Sequence, residues 1–261
     1  KVDGKTFTGF SGKQTFDLMA LQNGNTKVLG NGELDARTYS NITFVLDYEA
    51  DANGNAPGCY VLTANNEKQK LESSAGSTGE LVVNSAYEVK SSTQSRIVAD
   101  FDLRKAIKYS NDNERKFEFV SDASLSNSVR VVNKNSTGSI DGNYTESMTG
   151  STGKVVVFAY NKGSFNASTE SEPSGEANIR FSNAVSSATV SNNGNYKLSF
   201  LNEGDYELHF ASYEDNDQDG EYTFEAMLSS QTKVDGNVLE FITVEASSEV
   251  TVNTTITGII N

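Results

Sequence analysis

The feature that most limits the fold of this 261-residue chain is a repeated alternation of apolar and polar residues with a period of two. Such alternation is typical of short, half-buried antiparallel strands, whereas amphipathic helices need apolar residues spaced three and four apart. Turn-forming Asn, Gly, Asp and Ser separate the strand-like runs, which include residues 42–48, 96–103, 154–160, 195–200 and 250–256. The pattern predicts an all-β protein built from antiparallel β-sandwiches.

The alternation is interrupted near residues 133–138 by a polar stretch and then begins again. A chain of this length forms one large domain or two ordinary ones. We therefore predict two tandem sandwich domains, the first at residues 1–135 and the second at residues 138–261. Two short segments, 16–21 and 103–107, are also compatible with single helical turns.

Charge and composition argue against several classes of protein. The chain has 21 Lys and Arg against 35 Asp and Glu, and this net charge of −14 disfavours binding to a nucleic-acid backbone. No stretch of about 18 apolar residues occurs, so we expect no transmembrane segment. Cys59 is the single thiol and His209 the single imidazole, too few for an internal disulfide or a Cys/His zinc site. We predict that the protein is not an enzyme.

Three groups of reactive side chains have simple structural interpretations. His209 alternates with apolar neighbours, which predicts an outward-facing imidazole on a strand, and Cys59 is predicted to be a small buried residue. Asp100, Asp102 and Arg104 also alternate, so on a strand they would share one face. Such a group can be an acid/base site, but we favour a surface cluster of salt bridges.

One acidic segment has the composition of a calcium loop. Oxygen-bearing side chains occur at alternate positions and are followed by Gly220, a spacing that turns carboxylates towards one ion. The glutamate expected at the twelfth position of an EF-hand loop is replaced by Ala226, and the following residues resemble a strand. The alternative is a solvated acidic turn. We predict a hairpin calcium site formed by Asp215, Asp217, Asp219 and Glu221.

The first half of the chain resembles the domain of unknown function family 4382. The residues that carry this resemblance lie at 16–21, 32–42 and 100–105. They are similar to the family's "DLLAL", "G-x-L…Y-x-x-I" and "FD-x-R-K" elements, and the similarity covers about residues 1–135. The family's usual first strands, around a "DAP" motif, have no counterpart here. The resemblance implies no known activity.

The second half is similar to the carboxypeptidase-regulatory-like, or prealbumin-like, β-sandwich. Gly138 and Ile140 open the pattern, and a hairpin "G-x-Y-x-L…L-x-x-G-x-Y-x-L" follows. The matching residues are Gly194, Tyr196, Leu198, Leu201, Gly204, Tyr206 and Leu208. The two halves together resemble exported proteins, often lipoproteins, of Bacteroidota-type bacteria. This resemblance implies an extracytoplasmic protein that is displayed at the cell surface, anchored to the outer membrane or secreted.

These features favour a non-enzymatic cell-surface or extracellular structural or adhesion protein. Its sharper form is a fibre subunit assembled by strand complementation, because a strand from another copy can complete an open sheet edge. The alternative is a glycan- or peptide-binding module of a surface lipoprotein, which needs an exposed aromatic or polar concavity. The expected partners are copies of the chain, other surface proteins or a glycan.

Overall fold

The computed structural model describes all residues except 11, 64, 75, 113–114, 147–152, 218–221 and 261. For residues 110–112 and 115–116 it describes the backbone only. The chain divides into two compact units. Unit 1 comprises Lys1–Leu21, Thr26–Asn133 and Pro173–Ile179. Unit 2 comprises Gln22–Asn25, Lys134–Glu172 and Arg180–Asn261. The main boundary therefore lies at Asn133, and two short segments join the unit that does not contain their neighbours in sequence.

Unit 1 consists of short antiparallel strands. They are β1 (Arg37–Val45), β2 (Tyr60–Leu62), β3 (Lys68–Lys70), β4 (Glu80–Val89), β5 (Ile97–Phe101), β6 (Ile107–Asp112), β7 (Arg115–Phe119) and β8 (Val129–Asn133). The helical elements are a 3₁₀ turn (Met19–Leu21), α1 (Leu103–Ala106) and α2 (Asp122–Asn127). The strands pair as β1–β4, β2–β3, β5–β8 and β6–β7.

The alternation seen in the sequence builds the core of unit 1. Along β4, Leu81, Val83 and Tyr87 are buried while the residues between them are more exposed. They pack with Val129 and Val131 of β8 in one apolar cluster. Burial of apolar surface on one strand face is therefore the main stabilising contribution in this unit.

Unit 2 is a larger β structure. Its strands are β9 (Thr137–Glu146), β10 (Lys154–Asn161), β11 (Ser186–Thr189), β12 (Asn195–Asn202), β13 (Gly204–Glu214), β14 (Thr223–Val234), β15 (Asn237–Leu239), β16 (Ile242–Val244) and β17 (Glu249–Ile260). A 3₁₀ turn (Lys134–Ser136) and α3 (Ala167–Glu170) complete the described elements. The sheet order is β11-β10-β13-β14-β17-β9-β12, with β15 beside β14 and β16 beside β13.

The sheet of unit 2 folds over to enclose its core. Side chains of β10 and β13 pack in one cluster with those of β9, β12 and β17, which are distant in the sheet order. Strand β10 is apolar on both faces: Val157 and Ala159 enter this cluster, whereas Phe158 and Tyr160 enter a second cluster on the opposite side. A single sheet with two buried faces explains why residues 155–160 form a continuous apolar run.

The predicted all-β fold is confirmed, but its strand pairing is not entirely antiparallel. Strands β9 and β17, the first and last of unit 2, run parallel over the register from Ser139 opposite Glu249 to Glu146 opposite Ile256. The sequence predicted helical turns at 16–21 and 103–107 but neither α2 nor α3. Within the described residues, no helix is long and apolar enough to cross a membrane.

Candidate functional sites

The acidic segment predicted to bind calcium lies in the connection between β13 and β14. The ladder of these strands ends at the pair of Glu214 and Thr223, so Asp215 and Asp217 follow directly at the start of the hairpin loop. Asp219 and Glu221 lie outside the described residues. Among the residues that are described, no three Asp, Glu, His or Cys side chains group as a metal site. The calcium site therefore stays a prediction.

Of the alternating residues Asp100, Asp102 and Arg104, the structure pairs the last two and gives Asp100 a different partner. Asp100 lies on β5, where its carboxylate accepts a hydrogen bond from Arg130 of β8 at 2.5 Å. Asp102 is the N-cap of α1, and it accepts the backbone N–H of Arg104 at 3.1 Å and its guanidinium at 2.8 Å. Arg104 therefore lies on a helical turn and not on the strand. These ion pairs fix the junction between β5 and α1, which supports the structural interpretation.

Cys59 has the environment of a structural thiol. It is partly buried, and its Sγ donates to the backbone carbonyl of Asp47 at 3.6 Å. Burial raises the pKa of the Cys59 thiol to about 11. Because the thiolate is the reactive form, this cysteine is a poor nucleophile at neutral pH.

His209 occupies the predicted strand face, but that face is covered. Its imidazole stacks on Phe165 with ring centroids 3.5 Å apart and meets the edge of Tyr160 at 5.7 Å. Its Nε2 lies 3.4 Å from a carboxylate oxygen of Glu207, which also accepts the backbone N–H of Gly163. Burial lowers the pKa of His209 below its ordinary value. The prediction of a simple outward-facing histidine missed this cover, because Phe165 belongs to a different part of the sequence.

A buried carboxylate, that of Glu170, anchors α3, which follows Phe165 in the sequence. Glu170, at the end of α3, is 3% exposed. It accepts hydrogen bonds from the hydroxyl of Tyr160 at 2.5 Å and from the side-chain amide and backbone N–H of Asn183 at 2.5 and 3.1 Å. Nearby, Phe181 stacks on Phe158 at 4.2 Å. These donors satisfy the carboxylate, so Glu170 connects α3 to β10 and to the segment at Asn183 by hydrogen bonds.

The outer edge of β1 carries a short extended segment. The backbone N–H of Thr43 donates to the carbonyl of Lys1 at 2.9 Å, and the N–H of Asp3 donates to the carbonyl of Asn41 at 3.2 Å. Between these bonds, Val2 lies opposite Ile42 in antiparallel register. The other edge of β1 pairs with β4. Strand β1 therefore makes main-chain contacts on both sides, and the outer contact is only about three residues long.

One family model matches the first half of the chain. Residues 2–120 match the model of a domain of unknown function (DUF4382). The matched range includes β1–β7 and α1, and the match agrees with the resemblance seen in the sequence motifs. No curated protein shows significant similarity to the chain.

Several solved structures are similar to the chain at low identity. The major pilin subunit of Bacillus cereus is 15% identical, with a TM-score of 0.27, over 64% of this chain and 41% of the pilin. The minor pilin GBS52 of Streptococcus agalactiae is 12% identical, with a TM-score of 0.24, over 87% of this chain and 85% of its own. A major pilin of Streptococcus pyogenes is 12% identical, with a TM-score of 0.23, over 85% and 89%. The chain thus spans about two-fifths of the Bacillus cereus pilin.

Proposed function

We propose that the protein is a non-enzymatic structural or adhesion protein of the cell surface, and that its copies assemble by strand complementation. The observation that carries this proposal is the outer edge of β1. Its backbone bonds to Lys1–Asp3 as an antiparallel neighbour, although this contact covers about three of the nine residues of the strand. An extended segment from another copy that follows the same edge would form a longer ladder.

The experiment locks the protein's own segment onto β1. Val2 and Ile42 lie directly opposite each other between two flanking main-chain bonds, a position where a cross-strand disulfide is geometrically favourable. We would combine Val2→Cys and Ile42→Cys with Cys59→Ser, which removes the native thiol. Sedimentation velocity and negative-stain electron microscopy then measure assembly with and without reductant.

The oxidised variant is expected to stay monomeric, because its β1 edge is blocked, whereas reduction restores concentration-dependent oligomers. Cys59→Ser alone is the matched control and should assemble equally in both conditions. A wild-type protein that stays monomeric at high concentration, or equal assembly of the locked and reduced variants, contradicts strand complementation.

Two further assignments belong to this proposal. The surface role requires a location outside the cytoplasm, with the protein anchored as a lipoprotein or secreted; cell fractionation with an antibody against the chain tests it. We also propose that calcium binds at Asp215, Asp217, Asp219 and Glu221. The position of Asp215 and Asp217 in one hairpin connection supports this assignment.

The alternative role, binding of a glycan or peptide, is favoured by a groove in unit 1.

A further inference from the structure

A groove of about 320 Å³ in unit 1 lies between residues 2–8 and residues 33–39. Ligand sites for small molecules typically range from about 300 to 1,000 Å³, so the groove is at the small end of that range. Phe7 and Leu34 supply apolar surface, while Lys5, Glu33 and Asp35 supply charge. The lining is more polar than apolar, so the groove suits a polar ligand rather than a hydrophobic one.

One wall of the groove is fixed before any ligand arrives. Tyr39 is 3% exposed, its ring stacks on Tyr87 at 5.5 Å, and its hydroxyl donates to the carbonyl of Asp35 at 3.0 Å. The guanidinium of Arg37 lies 3.7 Å from the centre of the Tyr39 ring and is held by the carboxylate of Asp3 at 2.6 Å. A pre-organised wall reduces the entropy lost on binding.

Glycine fixes the other wall. A Cβ at Gly32 would lie 3.0 Å from the tip of the Phe7 ring, and a Cβ at Gly9 would lie 2.2 Å from the carbonyl oxygen of Asn31. The second distance is far inside van der Waals contact, and the obstacle is backbone. Only glycine at position 9 lets the two stretches approach so closely, and the Phe7 ring lies against Gly32.

Three charged groups of the groove are uncommitted. In the part of the chain that the structure describes, the side chains of Lys5, Glu33 and Asp35 make no hydrogen bond or ion pair with the protein. Arg37 differs, because Asp3 already pairs with it. The groove therefore offers two carboxylates that accept hydrogen bonds and one ammonium group that donates them.

We propose that this groove binds a neutral saccharide of one or two rings. Sugar hydroxyls donate to Glu33 and Asp35 and accept from Lys5, while the C–H face of a sugar ring packs on Phe7 and Leu34. The two carboxylates would repel an anionic ligand and Lys5 would repel a cationic one, whereas a neutral ligand meets neither repulsion. The groove shares Val2 with the main-chain contact on β1, and Arg37 and Tyr39 of β1 also line it. The saccharide proposal nevertheless does not rest on fibre assembly, because its test measures binding of a small probe and not association of copies.

The test uses the full chain and defined probes. Saturation-transfer NMR would compare the neutral trisaccharides maltotriose, cellotriose, xylotriose and N,N′,N″-triacetylchitotriose with trigalacturonic acid and the fully deacetylated chitosan trimer. At least one neutral probe should bind at millimolar concentration and more tightly than either charged trimer. Absence of binding by all four neutral probes, or tighter binding of a charged trimer, overturns the proposal.

Variants then place the site. Glu33→Gln with Asp35→Asn should weaken binding of the best neutral probe by about tenfold or more in calorimetry, since hydrogen bonds to charged groups are the strong ones. Glu67→Gln with Glu88→Gln is the control, because it makes the same charge change at exposed positions of unit 1 outside the groove. Unchanged affinity in the first variant, or an equal loss in the second, overturns the proposal. Circular dichroism melting confirms that both variants fold.

Discussion

At the scale of single residues, His209 has an environment that makes stability depend on pH. Burial against Phe165 lowers its pKa below the ordinary value of about 6.5, despite the opposing effect of Glu207. The unfolded chain takes up a proton below about pH 6.5, where folded His209 stays neutral. The unfolded state then binds more protons, so the free energy of unfolding falls as pH decreases from about 7 through the lowered pKa.

Because His209 is the single histidine, its imidazole can be titrated directly by proton NMR. The expected midpoint lies below 6.5. His209→Phe keeps an aromatic ring against Phe165 and should remove this part of the pH dependence, measured by urea unfolding at pH 7.5 and pH 5. A midpoint above 6.5, or the same pH dependence in the variant, would show that burial does not control this group.

Replacement of the buried Glu170 should strongly destabilise unit 2. Tyr160→Phe removes one of its three hydrogen-bond donors, with an expected loss of about 1–3 kcal/mol. Glu170→Ala leaves the donors from Tyr160 and Asn183 unpaired in a buried site, so the loss should exceed about 3 kcal/mol. Urea unfolding of both variants measures the order, and a smaller loss for Glu170→Ala contradicts the assigned role.

At the scale of elements, two side chains stabilise the start of α2: its N-cap residue and a carboxylate from elsewhere in the sequence. Ser121 is the N-cap residue, and Glu176 accepts the N–H of Ser121 at 2.8 Å and the hydroxyl of Ser124 at 2.7 Å. Hydrogen bonds from Ser121, with Ser124, lower the pKa of Glu176 to about 2. A lowered carboxyl pKa stabilises the fold above the unfolded value of about 4.3, and this contribution is lost as pH falls towards 2.

Glu176→Gln should therefore lower the urea midpoint at pH 7 and flatten its decline between pH 4.5 and 2. Glu172→Gln, at an exposed position four residues earlier, is the control and should leave both unchanged. Ser121→Ala removes the other half of the cap and should cost about 1 kcal/mol. If Glu176→Gln behaves like the control, the carboxylate does not stabilise α2.

Local pattern explains which elements the sequence predicted. The run 154–160 became Lys154–Asn161 and the run 250–256 lies within Glu249–Ile260, because a continuous apolar run and a period-two alternation are both properties of neighbouring residues. The stacking of Phe165 on His209 and the cap from Glu176 on Ser121 depend on partners far apart in sequence. The start of α2 has a readable signal in Ser121, whose hydroxyl is a typical N-cap group, but its helix is too short to show periodicity.

The groove residues show the same limit. The hydroxyl of Tyr39 bonds to Asp35, four residues earlier, yet nothing local to residues 33–39 indicates that Lys5 and Phe7 line the other side. Sequence reasoning required an exposed polar concavity for a binding module but had no means to locate one. The sequence likewise predicted an open sheet edge without indicating which strand forms it, because the pairing of Val2 with Ile42 spans forty positions.

At the scale of the whole molecule, the negative charge is concentrated in unit 2. Unit 1 has 15 Lys and Arg against 18 Asp and Glu, so 15 − 18 = −3, whereas unit 2 has 6 against 17, so 6 − 17 = −11. Like charges repel one another in the compact state. Salt screens this repulsion, so the thermal stability of unit 2 should increase with ionic strength, and a specifically bound cation should add to that effect.

Calcium bound at the β13–β14 connection is the specific cation that we expect to stabilise unit 2. A ligand that binds only the folded state stabilises it by about 2.7 kcal/mol at a hundredfold excess over its Kd, which for a domain this large raises Tm by about 5–10 °C. The melting of the full chain should therefore rise with calcium at constant ionic strength and fall with chelator. Asp217→Asn should weaken the response, whereas Asp235→Asn, the same change in the β14–β15 turn, should not. If the wild-type Tm is insensitive to calcium, or both variants respond alike, the acidic segment is a turn without a metal.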